Sequence, residues 1–114
     1  MPRSTLEYLR HIRDEAQYIL RTTAGLSKEQ FVNDETLKRA VVRSLEVMGE
    51  AAKQVPEDFR DQHPAISWRA ISGMRDRLIH GYLAVNYNIV WETVTIKVPE
   101  LSDQLREVLD EPPP

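Results

Sequence analysis

One stretch decides the fold class of this chain: Ile89-Val90-Trp91-Glu92-Thr93-Val94-Thr95-Ile96-Lys97-Val98. Its β-branched residues alternate well enough with the others to form a strand. A lone strand would have no partner, because no other segment of the sequence has a strand pattern. The apolar and threonine residues of the stretch also recur at helical spacing, so it is predicted to be a helix that begins near Asn86.

Two long helices are predicted in the amino-terminal half. The first begins at Ser4, because Ser4-Thr5-Leu6-Glu7 has the form of a capping box, and it ends near Gly25. A short turn separates it from the second helix. That helix runs from about Asp34 and carries one apolar stripe until Pro56 stops it.

The carboxy-terminal half adds a third long helix and a last one. Ser67 suits the cap position of the third helix, and Gly81 suits its carboxy terminus, so His80 falls at the helix end. Pro99 is predicted to open the last helix. The chain is therefore expected to form an all-α bundle of four to five helices. It is expected to be a single domain, residues 1–110, with a disordered tail at residues 111–114.

Composition places the chain among globular proteins and excludes several classes of function. Hydrophobic residues make up 41% of the chain and charged residues 29%, a balance that supports a core. The formal net charge is −3, so contact with nucleic acid requires a local basic patch rather than bulk charge. The chain has no cysteine, which excludes disulfides and thiolate metal sites.

No cofactor and no catalytic metal is expected, because the sequence lacks a glycine-rich phosphate loop and a ligand cluster at metal spacing. No apolar run approaches the roughly 20 residues of a membrane span. The amino terminus lacks the apolar stretch of a signal peptide. The expected location is therefore the cytoplasm, with no membrane contact.

The chemistry-bearing segment is Arg75-Asp76-Arg77-Leu78-Ile79-His80-Gly81-Tyr82, with Arg69 just upstream. It is locally basic on an acidic protein, and Arg69 and Arg77 are predicted to bind substrate. Arginine, histidine and tyrosine together suit cleavage of a phosphodiester by an internal 2′-hydroxyl, which requires a cation on the phosphate and proton transfer near neutral pH. DNA lacks that hydroxyl, so the predicted substrate is RNA.

This segment provides one histidine, whereas the reaction needs both a base and an acid. A second copy from a twofold-related subunit would supply the other. On one helix, Arg75 and His80 lie about 140° apart around the axis. Either the helix ends before His80, or the two residues act across a dimer.

Structural roles remain open for the same residues. His80 could simply interact with the carbonyl groups at a helix end, and Trp68 and Tyr82 could be core aromatics. His11 and His63 are predicted to be exposed surface residues. Glu46 and Glu50 are spaced like a paired-carboxylate site, but a solvated charged face beside Arg43 is favoured.

The segment from Trp68 to Tyr82 resembles the HepT-like ribonuclease toxins of the HEPN superfamily. Their signature is an arginine, a polar residue, three more residues, a histidine, one residue and a tyrosine, and every position is filled here. The resemblance extends over nearly the whole chain. It includes the helix Ala40 to Glu50 with its Met-Gly-Glu-Ala ending, the Ile66-Ser67-Trp68 entry and Asn88-Ile89-Val90-Trp91.

The resemblance implies an all-α homodimer in which two copies of the segment meet in a metal-independent RNA-cleaving site. In that site Arg75 would bind the phosphate, Asp76 would orient Arg75 or His80, and His80 would be the general acid or base. Family members are typically encoded beside a minimal nucleotidyltransferase antitoxin. In some pairs the antitoxin transfers AMP to the tyrosine of the signature, here Tyr82.

The sequence thus favours the ribonuclease toxin of a toxin–antitoxin pair. One alternative is a non-catalytic HEPN helical subunit that docks on a nucleotidyltransferase and helps it to bind nucleotide or substrate. Another is a purely structural dimerisation protein.

Overall fold

The computed structural model describes residues 4–81 and 85–112, so Tyr82 lies outside the described residues. Those ranges contain helices and no strand. The elements are α1 (Thr5–Thr23), α2 (Lys28–Asn33), α3 (Glu35–Gln54), α4 (Glu57–Gln62), α5 (Trp68–His80), α6 (Tyr87–Glu92), a π-helical turn (Thr93–Lys97) and α7 (Val98–Val108). The predicted all-α bundle is confirmed.

The two amino-terminal long helices begin where predicted, at Ser4 and Asp34. The hydroxyl of Ser4 accepts a hydrogen bond from the backbone N–H of Glu7 at 3.2 Å. The carboxylate of Asp34 accepts one from the N–H of Leu37 at 2.9 Å. Each bond satisfies a donor that the first turn of a helix leaves without a partner.

The turn expected between these helices contains a helix of its own. Ser27 and Gln30 form a complete capping box, since each side chain accepts a hydrogen bond from the backbone N–H of the other. Phe31 of the helix that follows is completely buried. The centroid of the Phe31 ring lies 5.2 Å from that of the Trp91 ring. Phe31 therefore joins α2 to α6 through the core.

The stretch from Ile89 to Val98 is helical, as predicted. The hydroxyls of Thr93 and Thr95 donate to the carbonyl groups of Ile89 and Trp91, at 3.0 and 2.9 Å. β-Branched threonines are thereby accommodated in a helix with their hydroxyls satisfied.

The last helix begins beside Pro99, as predicted, but no loop separates it from the helix before it. The backbone stays helical from α6 through the π-helical turn into α7, so the three form one rod. Pro99 lies in the first turn of α7, and the N–H of Val98 just before it donates to the carbonyl of Thr93. A proline inside a helix lacks an N–H and crowds the preceding turn, which is where the wider π-helical turn lies.

Helix α3 lies at the centre of the bundle and packs against both α1 and α5. The rod packs on α1 through α7 and on α2 through α6, whereas α5 packs chiefly on α3. Glu111, expected to begin the tail, forms an ion pair with Arg13 of α1, so the packed part of the chain reaches Glu111. Within residues 4–81 and 85–112, none of the helices is both long and apolar enough to cross a membrane.

Candidate active site

Arg75 lies where α5 approaches α3 closely. The close approach requires Gly49 of α3, because a Cβ atom added there would lie 2.1 Å from the Cβ of Arg75 and 2.9 Å from the carbonyl oxygen of Ile71. The side chain of Arg75 is 26% exposed, and its Nε is buried without a hydrogen-bond partner among the described residues. Its stem is therefore fixed by helix packing while its guanidinium reaches the surface.

Two carboxylates orient that guanidinium. Nη2 of Arg75 lies 3.0 Å from Oε2 of Glu50 on α3, and Nη1 donates to Oδ1 of Asp76 at 3.0 Å. Oδ1 of Asp76 also accepts a hydrogen bond from Nζ of Lys53, at 2.6 Å. The four side chains form a network with two positive and two negative charges, so each charge faces a partner of opposite sign.

Asp76 is held ionised within this network. The hydrogen bond from Lys53, followed by the one from Arg75, lowers the pKa of the Asp76 carboxyl below its ordinary value. Since the pKa is lower in the folded state, the contribution of Asp76 to stability is present at neutral pH. That contribution is lost as the pH falls through the folded-state pKa. Of the two roles expected for Asp76, the geometry favours orientation of Arg75.

Arg75 lines a cleft of about 460 Å³ between α1, α3 and α5. Its polar lining consists of Tyr8 and His11 from α1, Arg43, Glu46 and Glu50 from α3, and Arg75 from α5. The sequence predicted His11 to be exposed, which is confirmed, but did not connect it with Arg75.

His80 is exposed at the last residue of α5, and the N–H of Gly81 closes the helix on the carbonyl of Arg77 at 2.9 Å. The helix therefore does not end before His80, and that alternative is wrong. At about 100° per residue, His80 lies about 140° from Arg75 around α5 and only about 20° from Arg69. A single chain thus presents Arg75 and His80 in different directions.

Arg77 is exposed and borders a second, mainly apolar groove of about 410 Å³ between α3, α5 and the rod. It is therefore separated from the cleft that Arg75 borders. Trp68 is a core residue, 6% exposed, and its indole Nε1 donates to the carbonyl of His63 at 3.0 Å. His63 is half-buried rather than exposed, because its ring lies 4.5 Å from the ring of Phe59.

Glu50 and Lys53 are the network residues that sequence analysis did not assign. Glu50 was interpreted as part of a solvated face together with Glu46, yet its carboxylate binds Arg75. The sequence around Glu50 and Lys53 does not indicate which residues of α5 they contact. Gly49 offered one signal, since a glycine inside a long apolar-striped helix often marks a close backbone approach.

The described residues contain no group of three or more histidine, aspartate or glutamate side chains able to hold a metal ion. The polar groups that line the cleft together with Arg75 include two carboxylates, an imidazole and a phenol. Such groups bind anions, transfer protons and donate hydrogen bonds.

The chain is similar to known proteins over most of its length. The family described as "Ribonuclease HepT-like" matches residues 7–108. The chain is 49% identical over 102 residues to the protein named "Putative RNase TTE0752" of Caldanaerobacter subterraneus subsp. tengcongensis, covering 90% of this chain and 91% of that protein.

A second relative is named "Probable ribonuclease HepT" and comes from Thermococcus cleftensis. It is 38% identical over 108 residues, covering 95% of this chain and 98% of that protein. No solved structure matches the chain significantly. The family match spans α1 to α7 and includes Arg75, Asp76 and His80. The chain therefore belongs to the HepT-like ribonuclease family.

Proposed function

We propose that this protein is the metal-independent ribonuclease toxin of a toxin–antitoxin pair and that it cleaves RNA in a composite site formed by a homodimer. The observation that carries the proposal is the placement of Arg75. Its stem is clamped between α3 and α5, Glu50 and Asp76 fix its guanidinium, and it faces a cleft. An oriented guanidinium with free N–H donors is suited to bind a phosphate.

In the proposed reaction, the phosphate binds to Arg75 and a base removes the proton from the adjacent 2′-hydroxyl. The 2′-oxygen forms a bond to phosphorus, the bond from phosphorus to the 5′-oxygen breaks, and an acid donates a proton to that oxygen. The products are a 2′,3′-cyclic phosphate and a free 5′-hydroxyl. His80 is one of the two proton-transfer groups.

A homodimer is proposed because one protomer does not direct Arg75 and His80 to the same side of α5. The exposed face of that helix carries Arg69 and His80, and the main packing partner of α5 is α3. The rod also exposes Ile89 and Ile96, at 50% and 54%. Burial of such apolar side chains favours association of small domains.

The proposal predicts that His80→Ala abolishes RNA cleavage and growth inhibition while the dimer persists. General acid–base catalysis is worth about 10²- to 10⁴-fold, so we expect a loss of at least about 10²-fold. Cleavage of single-stranded RNA by the purified protein is measured in excess chelator, and light scattering gives the mass of the particle.

Activity lost in chelator and restored by magnesium would contradict the metal-independent mechanism, and a 13 kDa particle at micromolar concentration would contradict the composite site. Full activity of His80→Ala would exclude His80 as a proton-transfer group. No RNA cleavage by the unaltered protein, with binding to a nucleotidyltransferase retained, would favour the non-catalytic subunit instead. His63→Ala is the matched control, because it removes an imidazole that lies against Phe59.

The proposed antitoxin is a minimal nucleotidyltransferase that silences the toxin by transferring AMP to Tyr82. Tyr82 follows His80 by two residues in the sequence. AMP attached there would bring a phosphodiester anion and a bulky nucleoside close to the proposed site. The added group would compete for the charge of Arg75 and block RNA sterically.

We expect Tyr82→Phe to keep much of the toxicity and to escape neutralisation when the nucleotidyltransferase encoded beside it is co-expressed. The phenyl ring lacks the hydroxyl that would accept AMP. Intact-mass measurement after co-expression checks this expectation. No AMP adduct on the unaltered protein, or the same adduct on Tyr82→Phe, would leave occlusion by the partner as the mode of neutralisation.

A further inference from the structure

The two carboxylates that hold Arg75 outnumber its single positive charge. Oε2 of Glu50 lies 3.0 Å from Nη2 of Arg75, and Oδ1 of Asp76 accepts a hydrogen bond from Nη1 at 3.0 Å. These three side chains carry one positive and two negative charges. An RNA phosphate that approached them alone would therefore meet an excess of negative charge, which opposes its binding.

Lys53 supplies the balancing positive charge. Its Nζ donates to Oδ1 of Asp76 at 2.6 Å, and the same oxygen accepts the hydrogen bond from Arg75. Lys53 follows Glu50 by one turn of α3, so both side chains lie on the side of α3 that contacts α5. The charges of this network cancel only when Lys53 is included.

The other charged residues that line the cleft leave this balance unchanged. Among the described residues they are Arg43 and Glu46 of α3, which carry opposite charges and lie 3.8 Å apart. Removal of the Lys53 charge would thus leave one negative charge in excess around the cleft. Lys53 decides whether a phosphate approaching Arg75 meets a neutral or a negative surface.

Stabilisation of the fold does not account for the ion pair between Lys53 and Asp76. The two side chains are 36% and 45% exposed, and ion pairs with that much exposure contribute little to stability because water screens them. Helices α3 and α5 already pack closely at Gly49 without this pair. The charge of Lys53 is therefore more consequential for what binds at Arg75 than for the packing of the two helices.

We propose that Lys53 is a positioning residue of the ribonuclease, which cancels the charge of Asp76 so that two carboxylates can hold Arg75 without repelling the RNA phosphate. This inference rests on the proposed function. Lys53 acts through Asp76 and does not itself contact the substrate. The arrangement combines two requirements that otherwise conflict, because the groups that fix a guanidinium are anions and its ligand is an anion as well.

The first test measures binding of a single-stranded 2′-O-methyl RNA, which lacks the hydroxyl that the proposed reaction needs. Lys53→Met and Lys53→Gln should each weaken binding by about 3- to 5-fold at low ionic strength, a modest factor because Lys53 is 36% exposed. The difference from the unaltered protein should shrink as salt is added, because salt screens the repulsion. A loss caused by altered packing would persist in salt.

The second test restores neutrality by another route. Asp76→Asn removes the negative charge and keeps an oxygen that can accept the hydrogen bond from Arg75. The double variant Lys53→Met, Asp76→Asn should therefore bind RNA within about 2-fold of the unaltered protein. Asp76→Asn alone should bind RNA more tightly while kcat falls, because a neutral amide holds the guanidinium less firmly than a carboxylate does.

Two control variants isolate the local charge. Lys53→Arg keeps the positive charge and should bind RNA like the unaltered protein. Lys28→Met changes the net charge of the chain as Lys53→Met does, but Lys28 is exposed on α2 and does not line the cleft, so binding should not change. Urea unfolding of every variant establishes that the fold is retained.

Unchanged RNA binding in both Lys53→Met and Lys53→Gln would overturn the role of Lys53. Binding by the double variant as weak as that of Lys53→Met would overturn it too, because Lys53 would then contact the phosphate directly. Failure of the proposed function is a different result, in which the unaltered protein leaves unmethylated RNA uncleaved.

Discussion

Replacing Arg75 by alanine is expected to lower kcat/KM for RNA cleavage by about 10²- to 10³-fold, which corresponds to about 3–4 kcal/mol of transition-state stabilisation. The expected loss is large because charge accumulates on the phosphate oxygens during the reaction. The guanidinium of Arg75 is already held in place by Glu50 and Asp76. A guanidinium held in place needs no reorganisation when that charge develops.

Two further variants separate the proposed role from simple loss of charge. Arg39→Ala also removes one positive charge, but Arg39 is exposed on α3 and pairs with Glu35, so activity should not change. Arg75→Lys should remain strongly impaired, because an ammonium group cannot contact Glu50, Asp76 and a phosphate in the geometry of the planar fork.

Stability is expected to change little in Arg75→Ala, since its two carboxylate partners are 54% and 45% exposed and become solvated. Steady-state cleavage and urea unfolding measure the two effects separately. If Arg75→Ala cleaved RNA at the unaltered rate, Arg75 would be only a link between α3 and α5.

Gly49→Ala is expected to have the largest effect on stability. A methyl group there would lie 2.1 Å from the Cβ of Arg75 and 2.9 Å from a backbone oxygen of α5. Neither neighbour is the free end of a side chain, so α3 and α5 must move apart. Overpacking costs about 1–3 kcal/mol, and we expect the upper end of that range. Separation of the helices also displaces Arg75, so cleavage should fall even below the denaturation temperature.

Gly73→Ala is the matched control, on α5 itself. A Cβ at that position meets only Nη1 of Arg77, at 3.8 Å, which is ordinary contact. Alanine inside a helix is about 0.5–1 kcal/mol more favourable than glycine, so this variant should be slightly stabilised. Urea unfolding at one protein concentration compares the two variants. Equal effects at both positions would show that helix propensity, rather than the contact with α5, governs Gly49.

The helices themselves could be predicted from the sequence. The cap at Ser4 and the periodic apolar positions specified α1 and α3, and the same periodicity identified residues 89–98 as helical despite their β-branched residues. These signals are local, because a helix is closed by bonds four residues apart and its buried face repeats every 3.6 residues. The same signals placed His80 near a helix end but left open whether the helix stops before it, and the structure shows that it does not.

Local signals were weaker where a proline or a short helix was involved. Pro99 matched the start of a helix, but a wider π-helical turn let the rod continue through it. The helix at residues 28–33 is only six residues long, and much of its stability comes from the burial of Phe31 against the core.

The sequence by itself determined the helical class and the faces of the long helices, and it predicted the residues that are proposed to carry the chemistry. Only the tertiary structure decided which of these residues meet. Glu50 and Lys53 bind Arg75 and Asp76 across α3 and α5, at a close approach that Gly49 permits. His11, far from Arg75 in the sequence, borders the same cleft because both helices pack on α3. Periodicity fixes which face of a helix is buried, whereas the partner of that face depends on side-chain packing between distant segments.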